Sequence, residues 1–343
     1  MRTCWVIDHP AHFQLFRRWI ADGDTLVVTE RQELDVMLLD GFSQPILRVP
    51  RVTGRLFGKV DLGRKRTAAV GRFLKNHQVD RIISKGAPFE LRAARGLVEE
   101  RWYLTDTEVN TIAHRLAKSA ATHILLPESW SAPDGVLRPT HSYPGILPNA
   151  YLDTSTEVWE STGDRMSQRL GLPADELVVL HRQLIGGGIH DAPEMIDYSA
   201  AIRDLPVHFV MNEEAAAADC DSAWHLPERA ALFDGVLTGS TTLAAEAVVQ
   251  GVPTLLISKA ERGFLDHLAE QPQFFRWREA EMSDCRFTAI CDGWMQAMRC
   301  CRNGGRQPVT AATRPTLVAL WGEPVAQQVA VVAGDIDRAV EHR

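Results

Sequence analysis

The sequence predicts an α/β protein made of two successive halves, each a parallel sheet covered by helices. Three observations predict it. Short apolar or β-branched runs alternate with helical stretches along most of the chain. The alternation breaks once, between Tyr151 and Glu176, and then restarts. The chain has 343 residues, whereas a single hydrophobic core rarely grows beyond about 250–300.

The first half opens with an apolar run, Cys4 to Asp8. Pro10 to Ala21 follows, with Phe13, Leu15, Phe16, Trp19 and Ile20 at helical spacing, and then the β-branched run Thr25 to Thr29. That is one βαβ unit. Arg81 to Ser84, Trp102 to Thr105 and His123 to Leu126 continue as strands, with helices from Pro88 to Glu99 and through Ala117 between them. Strands separated by helices imply a parallel sheet with both faces covered. The stretch from Tyr151 to Glu176, with Asp153, Thr154, Ser155, Gly163 and Gly171-Leu172-Pro173, is the best linker, which sets the expected domains at 1–152 and 153–343. The second half then reads as strands at Leu177–Leu180, Val207–Met211, Gly235–Leu237 and Thr254–Ser258. The tail from Glu323 to Arg343 is rich in helix formers and could cross back over the domain boundary.

Composition excludes several classes. With 45% hydrophobic and 24% charged residues the chain can bury large cores. Its net charge of −7 carries no polybasic signature for nucleic acid. The six cysteines, at 4, 220, 285, 291, 300 and 301, fit neither a disulfide framework nor a metal knuckle and read as reduced thiols. No secretory leader pattern opens the chain and no apolar run approaches ~18 residues. The expected location is therefore the cytoplasm, if at a membrane then at its inner face.

Parallel sheets bind ligands outside the carboxyl ends of their strands, and four turns there carry candidate chemistry. In Asp8-His9-Pro10-Ala11-His12, a histidine facing a cleft can take a proton from a sugar hydroxyl near neutral pH; a helix cap or a buried structural ring is the other account of either His9 or His12. Gly186-Gly187-Gly188 would let backbone N–H groups approach a phosphate, or is a flexible loop. Neither GxGxxG nor GxxxxGK[ST] occurs. Gly239-Ser240-Thr241-Thr242 opens a helix carrying Glu246 and ending before Gly251-Val252-Pro253. Its N–H groups and hydroxyls could meet a diphosphate, and the Glu246 carboxylate could accept both hydroxyls of a ribose; otherwise Ser240 is an ordinary N-cap and Glu246 a solvated helix residue. Asp106-Thr107-Glu108 could position an acceptor or hold a divalent ion, or cap the following helix. Ser84-Lys85-Gly86 could add a cation to the same place.

The Gly-Ser-Thr-Thr turn, Glu246 and Gly251-x-Pro253 resemble the nucleotide-sugar site in the C-terminal half of GT-B glycosyltransferases, with the MurG-like peptidoglycan N-acetylglucosaminyltransferases as the best-known relatives. Ile7-Asp8-His9-Pro10-Ala11-His12-Phe13, Asp106-Thr107-Glu108 and Leu126-Pro127-Glu128 resemble the prokaryotic family called domain of unknown function 354, regarded as predicted glycosyltransferases. The likeness runs from about residue 4 to about residue 260. It implies two Rossmann-like domains facing across a cleft, a ribose gripped by Glu246, and a diphosphate met by Gly239, Ser240 and Thr241. It also implies His12 as a candidate base. Two departures stand out: His-Pro-Ala replaces the glycine-rich N-terminal turn, and Leu243, Ala244 and Ala245 precede Glu246 where polar residues are frequent.

The expected activity is transfer of a sugar from a nucleotide-diphosphate donor, a UDP-sugar, to an acceptor hydroxyl on a glycan or lipid-linked molecule, as in polysaccharide biosynthesis. His12, His9, Asp106 and Glu108 are the catalytic candidates. No cofactor or metal is obligatory, because helix N-termini can stabilise the leaving diphosphate. A nucleotide-sugar 2-epimerase on the same architecture and a non-catalytic nucleotide-binding or assembly protein are the alternatives. Between Ile46 and Asn76 stand nine bases (Arg48, Arg51, Arg55, Lys59, Arg64, Lys65, Arg66, Arg72 and Lys75) against Asp61 alone, with Leu56, Phe57, Val60 and Leu62 interleaved. Such a face could lie on an anionic membrane, or be a solvated helix and loop. Phe274, Phe275 and Trp277 read as packing.

Overall fold

The computed structural model describes residues 1–38, 42–51, 56–131, 135–152, 166–183, 196–212, 226–282 and 285–325. By packing, the chain divides into two compact units: Met1–Gly145 with the stretch beginning at Ala312, and a second unit within Ile146–Ala311. The glycine triplet 186–188 and the tail beyond residue 325 lie outside the described residues.

The first unit holds a seven-stranded sheet in the order β3-β2-β1-β4-β5-β6-β7. Its strands are β1 (Thr3–Ile7), β2 (Thr25–Thr29), β3 (Ile46–Val49), β4 (Arg81–Lys85), β5 (Glu100–Leu104), β6 (His123–Pro127) and β7 (His141–Tyr143). Every pairing is parallel. β1 and β2 are buried along their whole length, which is why they appear as unbroken apolar and β-branched runs rather than alternating ones. The sequence pattern missed β3, whose middle is half-exposed, and the three-residue β7.

The helix Thr313–Trp321 packs with this unit, although its sequence range falls within 153–343. The reason is aromatic: the Trp321 ring meets Trp19, Phe16 and Trp5 at 5.4, 5.9 and 6.0 Å between centroids. Such tilted and edge-on pairs add to the area they bury. Trp19 Nε1 also donates to the Gly322 carbonyl at 2.9 Å.

The second unit holds five parallel strands in the order β12-β11-β10-β8-β9. They are β8 (Val178–Arg182), β9 (His208–Met211), β10 (Gly235–Thr238), β11 (Thr254–Ile257) and β12 (Phe274–Trp277). The helix Cys285–Gly304 covers one face with Phe287, Cys291, Trp294, Met295 and Met298. Leu243 and Ala247 of the helix Thr241–Val249 join the core on the other. Phe274 and Trp277 are buried, in keeping with a packing role. Gly251 has φ +73°, and its N–H and that of Val252 bond back to Val248 O (2.9 Å) and Ala247 O (3.0 Å). This closing turn explains the glycine in Gly251-x-Pro253.

The long helix Leu56–His77 carries much of the basic segment, but Arg66 does not lie on an outer face. It is 3% exposed, so the expectation of nine surface bases is corrected at this residue. Arg66 Nε donates to Glu90 Oε1, Nη2 to Asp8 Oδ1 and Thr29 Oγ1, each at 3.0 Å, and Nη1 to Pro50 O at 3.2 Å. Glu90 is fully buried, and burial pushes its carboxyl above the ordinary range against the pull of Arg66. Arg48, Arg64, Lys65, Arg72 and Lys75 are exposed, with Arg48 paired to Asp35 and Lys65 to Asp61. Arg55 and the Lys59 side chain lie outside the described residues. Among the described residues no helix is long and apolar enough to cross a membrane.

Removing one partner of a buried ion pair leaves the other uncompensated, at a cost of about 3–5 kcal/mol. Arg66→Met is therefore expected to lower stability by that amount in urea unfolding, and Glu90→Gln in the same chain to restore part of it. Exposed Arg72→Met should stay within about 0.5 kcal/mol of the parent.

Candidate functional site

Each sheet has one place where the chain leaves adjacent strands in opposite directions. In the first unit it lies between β1 and β4, in the second between β8 and β10. The carboxyl ends at such switch points are open to ligands because the connecting segments diverge.

In the second unit, the end of β10 leads through Gly239 into the helix Thr241–Val249. Ser240 is its N-cap, with Oγ accepting from Leu243 N at 3.3 Å, so the plainer reading of that serine holds. Gly239 N–H goes to Arg182 O at 3.4 Å, Ser240 N–H to Thr238 Oγ1 at 3.0 Å, and Ala244 N–H to Ser240 O at 3.0 Å. That leaves Thr241 and Thr242 as the first-turn residues whose N–H groups have no partner among the described residues, at the positive end of the helix dipole. Both side chains are half-buried.

Glu246 lies about one and a half turns further along and is 4% exposed, so it is not a solvated helix residue. Tyr151, from the short helix Pro148–Tyr151, donates its hydroxyl to Glu246 Oε1 at 2.6 Å. This bond is one reason residues 146–152 pack with the second unit. Burial raises the Glu246 carboxyl from 4.5 to about 8, against the Tyr151 hydrogen bond, with Glu228 raising and Arg182 lowering it further. Arg182 is the last residue of β8 and pairs in register with Thr238, so a guanidinium stands at the switch point beside the helix entrance. Its Nη1 donates to Asn212 Oδ1 at 2.6 Å. Sequence reasoning missed Arg182 because the apolar run ends at Leu180, two residues earlier. Tyr151 gave no signal, since it lies 95 residues from its partner.

In the first unit, His9 is the N-cap of the helix Pro10–Phe16, with Nδ1 accepting from Ala11 N at 3.2 Å. His12 Nδ1 accepts from Asp8 N at 3.3 Å. This bond assigns the ring proton to Nε2, so the nitrogen left for a ligand is a donor. Burial holds His12 neutral, well below the ordinary histidine range, reinforced by Lys85, His9 and Arg31. The Asp8 carboxyl is raised by burial but held below its ordinary value by Arg66 and Thr29. It is therefore ionised at neutral pH, and its side chain is 39% exposed.

Lys85, at the end of β4, donates to Asp106 Oδ1 at 2.9 Å, so it is not a surface lysine. The helix Thr111–Lys118 has Asn110 as its N-cap residue, and Asp106 is committed to Lys85 instead of that helix. The turn holding Asp106 and Glu108 is fixed from below: Tyr103 OH donates to His114 Nδ1 at 3.1 Å, and His114 Nε2 donates to Thr107 O at 2.8 Å. Tyr143, at the end of β7, is fully buried. Its hydroxyl is enclosed without a partner among the described residues. Burial raises its pKa, with Asp106 and Glu108 adding to the shift. The structure thus brings Asp106, Glu108, Lys85 and Tyr143 to one sheet edge, with His12 in electrostatic reach of Lys85.

No family model matches the chain, and no curated protein matches it. Solved structures do. The chain is similar to UDP-GlcNAc 2-epimerase from Neisseria meningitidis bound to UDP-GlcNAc, at 12% identity and a TM-score of 0.56, over 98% of this chain and 100% of that one. It is also similar to Acinetobacter baumannii MurG (12%, 0.50, 93% and 99%). The third is the glycosyltransferase SnogD from Streptomyces nogalater (15%, 0.50, 94% and 99%). Two Rossmann-like α/β units of this kind make the GT-B fold. The likeness to domain of unknown function 354 has no matching family model behind it.

The Glu246 carboxyl yields a pH signature. Between about pH 4.5 and pH 8 the unfolded chain has lost this proton while the folded chain keeps it, so stability falls as pH rises through that window. Glu246→Gln keeps the acceptor for Tyr151 and removes the titration. From pH 5 to pH 8 the parent is expected to lose up to about 4 kcal/mol more than Glu246→Gln in urea unfolding. Parallel profiles would mean that Glu246 ionises normally.

Proposed function

We propose that the protein binds a nucleotide-diphosphate sugar, with UDP as the nucleotide, and transfers the sugar to an acceptor hydroxyl on a glycan or lipid-linked molecule. The carrying observation is the pair of unpartnered N–H groups, Thr241 and Thr242, at a switch point where Arg182 also stands, with Glu246 on the same helix. An anion takes the N–H groups and the guanidinium. The ribose takes Glu246, whose desolvated carboxyl hydrogen-bonds a hydroxyl more strongly than a hydrated one would. Gly239 and Ser240 shape this turn rather than donate from it, and Gly186, Gly187 and Gly188 remain proposed contributors to the phosphate site. The solved GT-B structures bound to UDP-GlcNAc or named as glycosyltransferases support a ligand of this class.

On the acceptor side, His12 serves as a neutral hydrogen-bond donor through Nε2, and the proton of the attacking hydroxyl passes to a carboxylate. Asp8, four residues before His12 in the same turn, is ionised and part-exposed with one oxygen held by Arg66, while Asp106 is held by Lys85. His9 caps the helix that presents His12. The helix entrance at Thr241 stabilises negative charge on the departing diphosphate. Epimerisation at C2 is the second reading, favoured by the gathering of Asp106, Glu108, Lys85 and Tyr143 at one edge. It would need acid and base groups of that kind on both faces of the sugar.

Titration calorimetry with UDP tests the binding site: UDP should bind, and Glu246→Ala should weaken it about tenfold, the scale of one lost buried hydrogen bond. Absence of UDP binding would sink the reading. Incubating the protein with UDP-GlcNAc and no acceptor separates the two chemistries, because only an epimerase interconverts the sugars. His12→Gln retains a donor near the Nε2 position. It is expected to stay within about tenfold of parent turnover while His12→Ala loses about 10²–10³, the range for removing one transition-state donor. Equal losses would return the base role to His12.

A further inference from the structure

The carboxyl ends of β11 and β12 bring together Lys259, Arg262, Arg276 and Arg278. β11 runs into Ser258-Lys259-Ala260-Glu261-Arg262, followed by the helix Gly263–Ala269. β12 contains Arg276 and is followed by Arg278. The acids facing this group are Glu261 and Asp266, since Glu279 is held by Arg286 at 2.8 and 3.1 Å. One Glu261 oxygen serves two arginines, with Arg278 Nη1 at 2.9 Å and Arg276 Nη2 at 3.7 Å.

Arg276 is the least compensated of them. Its side chain is 11% exposed, Nη2 donates to the Ala260 carbonyl, and Nε is enclosed without a partner among the described residues. Burial lowers its affinity for its proton, and the charges of Arg278 and Arg262 add to the effect against Glu261 and Asp266. A guanidinium stays charged in proteins, so the shift marks a charge drawn out of water, with Glu261 as its main compensating acid. A part-buried arginine that shares its one close acid with a second arginine is stabilised further when another anion reaches it.

Register places these arginines beside the turn that opens the helix at Thr241. Thr238 of β10 pairs with Leu256 of β11, and Ile257 of β11 with Trp277 of β12. The turn after β11 is therefore one strand spacing from Gly239-Ser240, and Arg276 and Arg278 are two, roughly 5 and 10 Å. That is about the breadth of a sugar ring joined to a phosphate held at Thr241 and Thr242.

We infer that the ends of β11 and β12 form a second anion subsite, in which Arg276 and Arg278 receive a carboxylate carried by the sugar of the nucleotide sugar. The substrate is then an activated hexuronate rather than a neutral hexose. A planar carboxylate matches the guanidinium fork. The inference rests on the nucleotide-sugar reading of the Thr241 site and deepens it.

Calorimetric titration of the full chain with UDP, UDP-glucose and UDP-glucuronate tests it. UDP-glucuronate is expected to bind at least tenfold more tightly than UDP-glucose. Arg276→Gln should bring the two within about twofold while leaving UDP affinity unchanged, and Arg278→Gln, an exposed position that is safe for folding, should reduce the preference several-fold. UDP binding with less than a threefold preference in the parent overturns this inference alone, as does a preference that survives Arg278→Gln. If UDP does not bind, the nucleotide reading falls and this one with it.

Discussion

Parallel pairing is the constraint on which both units depend. It sends every strand of a sheet toward the same edge, and at β1–β4 and β8–β10 the following segments part in opposite directions. Backbone groups at those points are not needed to close the sheet, and helices begin there with donors to spare. The chain uses the two openings differently. At β8–β10 it places a serine-capped helix, an arginine and a buried acid. At β1–β4 it places a histidine-capped helix, a second histidine and a lysine–aspartate pair. One opening gathers backbone donors and a guanidinium, and the other a set of histidine, lysine and carboxylate side chains.

Both sites are held by ionisable groups withdrawn from water. Arg66 ties Asp8, Glu90 and Thr29 together beneath the His9–His12 turn, and Tyr151 does the same for Glu246. Apolar residues would fill either place at lower cost, because desolvation of a charge often exceeds its Coulombic gain. What the charges provide is direction: Asp8 is kept ionised and its backbone N–H is aimed at His12. Glu246 in turn is kept dry, where a hydrogen bond to it is worth more than in water.

Much of this was legible in the sequence, and the rest was not for definite reasons. Fully buried strands such as β1, β2 and β10 announce themselves as apolar runs. The helix at Thr241 was marked at both ends, by Ser240 and by Gly251, because caps and left-handed turns demand particular residue types. Long-range pairings leave no local mark. Nothing near Tyr151 points to Glu246, and nothing near Arg66 distinguishes it from the other bases of its segment. Its burial follows from Glu90 on a different helix, which comes close enough that a Cβ at Gly63 would meet Phe89 at 2.7 Å. The short β7 and the half-exposed β3 lacked periodicity to detect. Arg182 closes its strand with a polar residue, two positions past the point where the apolar pattern stops.

The tautomer of His12 bears on more than one side chain. A histidine that serves as a base must offer a lone pair, and the usual way to secure one is to occupy the other nitrogen as a donor to a carbonyl or carboxylate. Here the occupying group is itself a donor, the Asp8 N–H, so the arrangement is inverted and the ring presents a proton. The surroundings agree with that inversion, since Lys85 and Arg31 oppose protonation of the ring and thereby keep it neutral without a carboxylate partner. Donor and acceptor are thus divided between two residues of one turn, a neutral His12 and an ionised Asp8 four positions before it. In a sheet whose strand ends are fixed by pairing, that division depends on the backbone geometry of residues 8–12 more than on either side chain alone.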